Sequence, residues 1–211
     1  MFDIELSCIE FADKLSSKTP TPGGGGAAAY AGALSSALCS MVANLTIGKK
    51  KYADVEEDIK KLLNRTEVYR HELMELVGRD AEAFEPLSKA YSLPKDTDEA
   101  KAHRDEVMET CLNEASKVPM HIMEVCCKVI AIIDELAKKG SVLAVSDAAC
   151  AASLAKSALQ CAHLNVLINT KGMKDRGKAL RINEYCDDML EYYEKEADKV
   201  YNEIKERLKI A

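Results

Sequence analysis

Thirty consecutive residues, Thr19 to Gly48, carry no charge in a chain of 211 residues in which 30% are Asp, Glu, Lys or Arg. A run of that length must be covered on most sides, by lipid or by protein. Within it Leu34, Leu38, Met41 and Leu45 recur at helical intervals along one side, while Ala28, Gly32, Ser36 and Ser40 form a strip of small residues four apart. The many Ala, Ser, Thr and Asn residues make it a poor bilayer solute, whereas a small-residue strip lets another backbone approach closely. The run therefore predicts a central helix from Ala27 to about Ile47, buried on all sides.

Apolar spacing of three and four recurs through the rest of the chain, and no stretch alternates polar and apolar residues over a strand's length. The fold class is all-α. Ser7 and Glu10 form the capping-box pair of a short helix from Cys8 to Ser17, which "KTPTPGGGG" ends. A third helix starts near Ala53, bends at Gly78 and reaches "AYSLP", with Ile59, Leu62, Thr66, Tyr69, Leu73, Leu76, Asp80, Phe84, Leu87 and Tyr91 on its inner face. A fourth begins in "DTDEAKAHRDEV", is bent or interrupted at Pro119, and stops at Gly140. A fifth, from Ala148 to Thr170, has Lys156 as its only Lys, Arg, Asp or Glu and is nearly surrounded, with Ser146 or Asp147 as its cap. The last, Lys178 to about Ile210, is amphipathic, with Ile182, Tyr185, Met189, Tyr193, Val200, Ile204 and Leu208 inward. No repeat or composition shift divides the chain, so residues 1–211 read as a single-domain bundle of long helices. Two wholly buried helices exceed what such a monomer covers, and a homodimer packing the small-residue strips together supplies the rest.

The net charge of −6 and pI near 5.4 argue against nucleic acid or anionic lipid as partners. The eight cysteines show no CxxC pair and several lie in apolar runs, which points to a reducing, cytoplasmic compartment. The N-terminus "MFDIELSCIEF" carries acids where a signal peptide has bases. His71, His103, His121 and His163 show no metal-ligand spacing, and no Ser-His-Asp or Cys-His set assembles, so neither metal nor covalent catalysis is expected.

The run Gly23 to Gly26 lacks the Lys-Ser or Lys-Thr of a Walker loop and follows no strand, which excludes both nucleotide cradles. It is either a flexible link or a place where a ligand lies against bare main chain. Lys49, Lys50 and Lys51 either complement a helix C-terminus or dock an extended polyanion. Asp80 interrupts an apolar face, where a carboxylate must be paired, protonated or used. Asp147 in "VSDAA" is an N-cap or a functional acid. Asn165 and Asn169, four apart on one face, point at one partner, either buried backbone or a heteroaromatic ligand.

"PTPGGGGAAAYAGALSSALCSMVANLTIGKKKY", "DAEAF" with "LP", "VP" at Val118 and Pro119, "SDAACAA" and "NVLIN" together resemble the formiminotetrahydrofolate cyclodeaminase and methenyltetrahydrofolate cyclohydrolase family, over most of the chain and in the family's order. Many members have PGGGS where this chain has Gly26. The resemblance implies an all-helical homodimer that binds a tetrahydrofolate derivative, with or without a polyglutamate tail, and needs no other cofactor. It implies Asp80 and Asp147 as the catalytic pair. It implies folate binding by Gly23, Gly24, Gly25, Gly26, Thr46, Gly48, Lys49, Lys50, Phe84, Asn165 and Asn169. The activity expected is hydrolysis of 5,10-methenyltetrahydrofolate to 10-formyltetrahydrofolate, the wording of "PGGGG" and "GKKKYADVEEDI" being closer to free-standing cyclohydrolases. The alternatives are cyclodeamination of 5-formiminotetrahydrofolate with release of ammonia, and a non-catalytic helical bundle that binds a ligand or partner.

Overall fold

The computed structural model describes residues 6–209, and among them every regular element is helical. The six α-helices are α1 (Cys8–Ser16), α2 (Gly24–Asn44), α3 (Glu56–Ala90), α4 (Asp98–Lys139), α5 (Val145–Lys171) and α6 (Arg176–Leu208), with short 3-10 turns at Lys50–Val55 and Val142–Ala144. In α1 the expected capping box forms: the Glu10 amide donates to Ser7 Oγ at 3.2 Å and the Ser7 amide donates to Glu10 Oε2 at 2.8 Å. Phe11 then anchors α1 on α2 by packing its ring at a tilt of 50° against Tyr30, ring centroids 5.2 Å apart.

Helix α2 is central, packing on α3, α4 and α5. Its small-residue strip is spent inside the protomer. Ser36 Oγ donates to the Thr66 carbonyl at 2.8 Å, Ser40 and Thr66 share their hydroxyls at 2.9 Å, and a Cβ on Gly32 would stand 3.0 Å from Cys126 Sγ. This corrects the expectation that such strips pair two copies: bulkier residues could not approach α3 and α4 so closely, so the strip belongs to the core. The opposite row is open to solvent instead, with Leu34, Met41 and Leu45 each more than 40% exposed.

Helix α5 runs antiparallel beside α2, since Gly24 meets Asn165, Ser35 Oγ donates to the Ala151 carbonyl at 2.8 Å, and the Ser141 amide just before α5 donates to Thr46 Oγ1 at 2.8 Å. Its alanines at 148, 151, 152, 155, 158 and 162 are buried, but Cys161, Leu164 and Ile168 face out, so α5 is also only half covered. Helices α2 and the segment Val142–Lys171 are long and apolar enough to cross a bilayer, yet their buried faces are built into the bundle core.

Other expectations need adjusting. Helix α3 passes Gly78 unbroken and α4 passes Pro119 unbroken. Helix α4 does stop at Gly140, but at φ −74° rather than in a left-handed turn; a side chain there would meet the Leu136 carbonyl at 2.5 Å. Helix α5 begins at Val145 with Ala144 in the capping position and no side-chain cap, so Asp147 sits inside the first turn rather than capping it. In α6 the inner face is turned toward Cys186 and Ala197, leaving Tyr185 and Leu208 exposed; Lys156 to Asp198 (2.7 Å) and His163 to Asp187 (2.7 Å) tie α6 to α5. The expected end of α6 at Ile210 lies outside the described residues. Burial pushes the Cys39 thiol up to about 12, as expected of a cysteine packed as a small hydrophobe.

Candidate active site

The glycine run is not a loop ahead of α2; it is the helix's first turn, with Gly23 in the capping position and Gly24, Gly25 and Gly26 helical. Glycine is a poor helix former, so something else must require it here. The requirement is space. A Cβ on Gly25 would lie 2.1 Å from Asp80 Oδ1, and one on Gly24 would lie 2.9 Å from Asn165 Nδ2. The bare turn lets α3 and α5 press a carboxylate and an amide against the α2 backbone. The Gly24 and Gly25 amides have no carbonyl four residues back within the helix, so they are free to act as donors.

Asp80, Phe84, Asn165, Asn169, Gly23, Gly24 and Gly25 line one cavity of about 180 Å³, together with Pro20, Thr21, Ala115 and Ile168. Burial raises the Asp80 carboxyl to about 6, and a hydrogen bond from the Gly26 amide offsets only part of that desolvation. No lysine, arginine or histidine pairs with it among the described residues, so its remaining acceptor positions are free to face the cavity. Near neutral pH it is a mostly ionised acid in a poorly hydrated place, poised to take a proton.

The two asparagines do not share a partner. Asn165 Nδ2 donates to the Cys161 carbonyl at 2.8 Å, and Asn169 Nδ2 donates to the Ala115 carbonyl at 3.0 Å. The second bond has a covalent cause four residues away: Pro119 has no N–H, so it leaves the Ala115 carbonyl, its i−4 acceptor, without a helical donor. Asn169 fills that place and is fixed by it, which explains how Pro119 can lie buried within a continuous helix and ties the "VP" dipeptide to the cavity wall. One N–H of each amide is thus engaged, and the side-chain oxygens of Asn165 and Asn169 remain as acceptors beside Asp80, with a second N–H on each amide. The unpaired carboxylate favours a positively charged ligand, and the two amides can read an edge that carries both donors and acceptors.

The remaining sequence candidates lie elsewhere in the protomer. Thr46, Gly48, Lys49, Lys50 and Asp147 cluster at the opposite end of α2, roughly 30 Å from the glycine turn for a helix of this length. Gly48 has φ +78°, which its lack of a side chain permits, and its amide donates to Glu56 Oε2 at 3.1 Å. Lys49 Nζ donates to Ser141 Oγ at 3.1 Å, while Lys50 and Lys51 are exposed. Because α2 ends at Asn44, these lysines stand beyond its last turn, too far to serve mainly as helix-dipole partners. Tyr52 joins them: the Val142 amide donates to its hydroxyl at 3.0 Å, and that bond, with Ser141 and the ammonium groups of Lys51 and Lys49, holds the phenol below its usual range.

The sequence reading missed Pro20, Thr21, Ala115 and Ile168 as lining residues. Thr21 lies inside the quoted "PTPGGGG", and Ala115 was reachable from Pro119 by counting back four. Among the histidines, His71 and His103 are exposed, His121 bridges Glu72 (2.7 Å) and Glu124 (3.2 Å), and His163 meets Asp187; no group of three or more His, Cys, Asp or Glu among the described residues is arranged to hold a metal ion.

A profile of the formiminotransferase-cyclodeaminase family matches residues 7–188, and the chain belongs to that family. A methenyltetrahydrofolate cyclohydrolase of Methylorubrum extorquens is 47% identical over 80% of this chain and 81% of its own length. The formimidoyltransferase-cyclodeaminase of Sus scrofa is 30% identical over 93% of this chain, which corresponds to only 36% of that longer protein. The crystal structure of formiminotetrahydrofolate cyclodeaminase from Thermotoga maritima superposes with a TM-score of 0.81 at 34% identity, covering 94% of this chain and 97% of that one.

Proposed function

We propose that the protein is a soluble, cytoplasmic folate one-carbon enzyme that hydrolyses 5,10-methenyltetrahydrofolate to 10-formyltetrahydrofolate. The observation that carries this reading is the unpaired, desolvated Asp80 carboxylate, pressed on a bare helix turn in a cavity that Asn165 and Asn169 also line. The reacting carbon of the methenyl substrate is cationic, and a low-dielectric carboxylate attracts it more strongly than water does. The similarity to a free-standing cyclohydrolase over four-fifths of both chains favours hydrolysis over cyclodeamination.

Asp80 takes one proton from water as the new C–O bond forms and the C=N⁺ electrons return to nitrogen. The adduct's hydroxyl proton then moves to N5 while the C–N5 bond breaks and the carbonyl forms. Asp80 releases its proton to solvent, so each turnover yields one proton. In this reading the amides of Gly24 and Gly25 donate to the developing carbonyl oxygen, and the side-chain amides of Asn165 and Asn169 read the pterin's edge; what supports it is that all four residues line the Asp80 cavity. Offered 5,10-methenyltetrahydrofolate and 5-formiminotetrahydrofolate separately, the purified protein is expected to bleach the methenyl absorbance faster than it releases ammonia. The opposite pattern would assign it to cyclodeamination.

The cavity, at about 180 Å³, is smaller than the roughly 300–1,000 Å³ of pockets that enclose a whole drug-sized ligand. The rest of the folate therefore lies outside it, and we infer that a second copy of the chain covers it. The open row Leu34, Met41 and Leu45, continued by Leu164 and Ile168 on α5, is the apolar face available for an isologous contact. A two-fold axis crossing α2 at the middle of that row sets the two α2 helices antiparallel, so the glycine turn of one protomer faces the Gly48–Lys50 turn of its partner. Two clusters separated within one chain thereby form one site: Asp80 for the one-carbon unit and the lysines for the acidic tail, with Asp147 at the lysine end.

This arrangement predicts complementation. Asp80→Asn and Lys49→Ala each carry one defect per site, and unfolding and refolding them together should restore about a quarter of wild-type activity, since half the dimers are mixed and one site in two is then intact. No recovery, with mixed dimers demonstrated by tags of different mass, would place the whole site within one chain.

A further inference from the structure

We propose that Thr21 is a positioning residue that orients the attacking water, and that its hydroxyl is what equips this cavity for hydrolysis as distinct from ammonia release. This rests on the reading of the cavity as a methenyl-folate site. The chain has seven threonines. Thr19, Thr46, Thr66, Thr97, Thr110 and Thr170 each engage their hydroxyl in a hydrogen bond, to a backbone carbonyl, another hydroxyl or a helix-capping amide. Among the described residues Thr21 alone has no partner, and it lines the same cavity as Asp80.

The flanking prolines hold the Thr21 backbone in place. Pro20 and Pro22 restrict the backbone on both sides of Thr21, which holds the residue at the cavity wall. The side chains around it include three sets of acceptors: the Asp80 carboxylate and the oxygens of Asn165 and Asn169. A water held in a polar cavity needs two to four partners. Thr21 can donate to the water oxygen while the water donates to Asp80 and to an asparagine oxygen, leaving one lone pair for the cationic carbon. Without Thr21 the water would keep its acceptors but lose the hydroxyl donor that directs its lone pair, the Gly24 and Gly25 amides being the donors for the developing carbonyl oxygen. Cyclodeamination needs no such water, because N10 of the substrate is itself the nucleophile.

The test uses the full-length protein with Thr21→Val, which preserves shape and removes the hydroxyl, and Thr21→Ser, which keeps it. Steady-state rates with 5,10-methenyltetrahydrofolate and calorimetric binding of tetrahydrofolate, which lacks the one-carbon unit, give separate readouts. Thr21→Val should lower kcat about tenfold or more, with KM and the Kd for tetrahydrofolate within about twofold of wild type, an effect on the scale of lost general-base efficiency. Thr21→Ser should recover most of the rate. The proposal is overturned if Thr21→Val is as active as wild type, if KM rises while kcat holds, or if Thr21→Ser is as impaired as Thr21→Val. A wild-type protein that leaves the methenyl compound intact would overturn the functional reading and this inference with it, whereas an active wild type with an equally active Thr21→Val overturns this inference alone.

Discussion

Replacing Asp80 by asparagine is expected to abolish most methenyl hydrolysis while making the protein more stable at pH 8. The loss should be on the order of 10²–10⁴ in kcat, the usual contribution of a positioned acid–base group. Tetrahydrofolate binding should persist, because asparagine keeps the shape and can still accept from the Gly26 amide. The gain in stability follows from linkage. Asp80 titrates near 3.8 when unfolded and at about 6 when folded. Between those values the native state holds more protons than the unfolded one, so stability is full below about pH 4 and is lost as pH rises through 6. Above that the cost is constant, on the order of 3 kcal/mol at most for a shift of roughly two units in a partly accessible group. Asparagine carries no such cost. Thermal melts should therefore show Asp80→Asn more stable than wild type at pH 8 and nearly equal to it at pH 4. A variant less stable than wild type at pH 8 and closer to it at pH 4 would mean that the charged carboxylate is held by structural contacts, and the reading of the chain as a non-catalytic bundle would gain ground.

Gly25→Ala should be nearly as damaging, against the ordinary rule for helices. Alanine in place of a helical glycine is normally favourable by about 1 kcal/mol. Here the new methyl would stand 2.1 Å from Asp80 Oδ1 and 2.5 Å from its Cγ, distances that only movement of α3 or of the carboxylate can relieve. Overpacking of this kind costs roughly 1–3 kcal/mol, and displacing the base by about 1 Å costs on the order of 10² in rate. The contact also predicts strong non-additivity. In an Asp80→Ala background the obstructing carboxylate is gone, and Gly25→Ala should then become neutral or stabilising, giving a coupling energy of about 1 kcal/mol or more between the two positions. Additive effects would show that the glycine serves the backbone and not the aspartate. Gly24→Ala should be milder for stability, because the Asn165 amide it meets at 2.9 Å can swing aside more easily.

Part of this site was legible in the sequence because burial leaves a trace in periodicity. Asp80 interrupts the series from Ile59 to Leu87, and Asn165 with Asn169 interrupts an uncharged helix; all three line the cavity. Helix content and most helix positions followed from the same spacing. The start of α2 was not legible, since glycine's low propensity argues against a helix and the need that overrides it comes from Asp80, over fifty residues downstream. Nor was the continuity of α4 through Pro119, because the donor that replaces its missing amide, Asn169, comes from another helix. The small-residue strip was recognised but given to the wrong neighbour: periodicity says that a face is buried, not what buries it. Chain order also concealed that the Lys49 cluster and Asp80 lie at opposite ends of the same bundle, a separation set by the antiparallel course of α2 and α5.

Comparison of two pH profiles bears most directly on the claim that an ionised Asp80 faces a cationic carbon. The profile of kcat/KM reports the free enzyme and that of kcat the substrate complex. For hydrolysis of 5,10-methenyltetrahydrofolate, kcat/KM should rise through an apparent pKa of about 6, the value set by burial of the empty site. In the complex the positive substrate favours the carboxylate, so the rise in kcat should move to clearly lower pH. An unmoved or upward-shifted limb in kcat, or a kcat/KM without an acidic limb, would contradict the account.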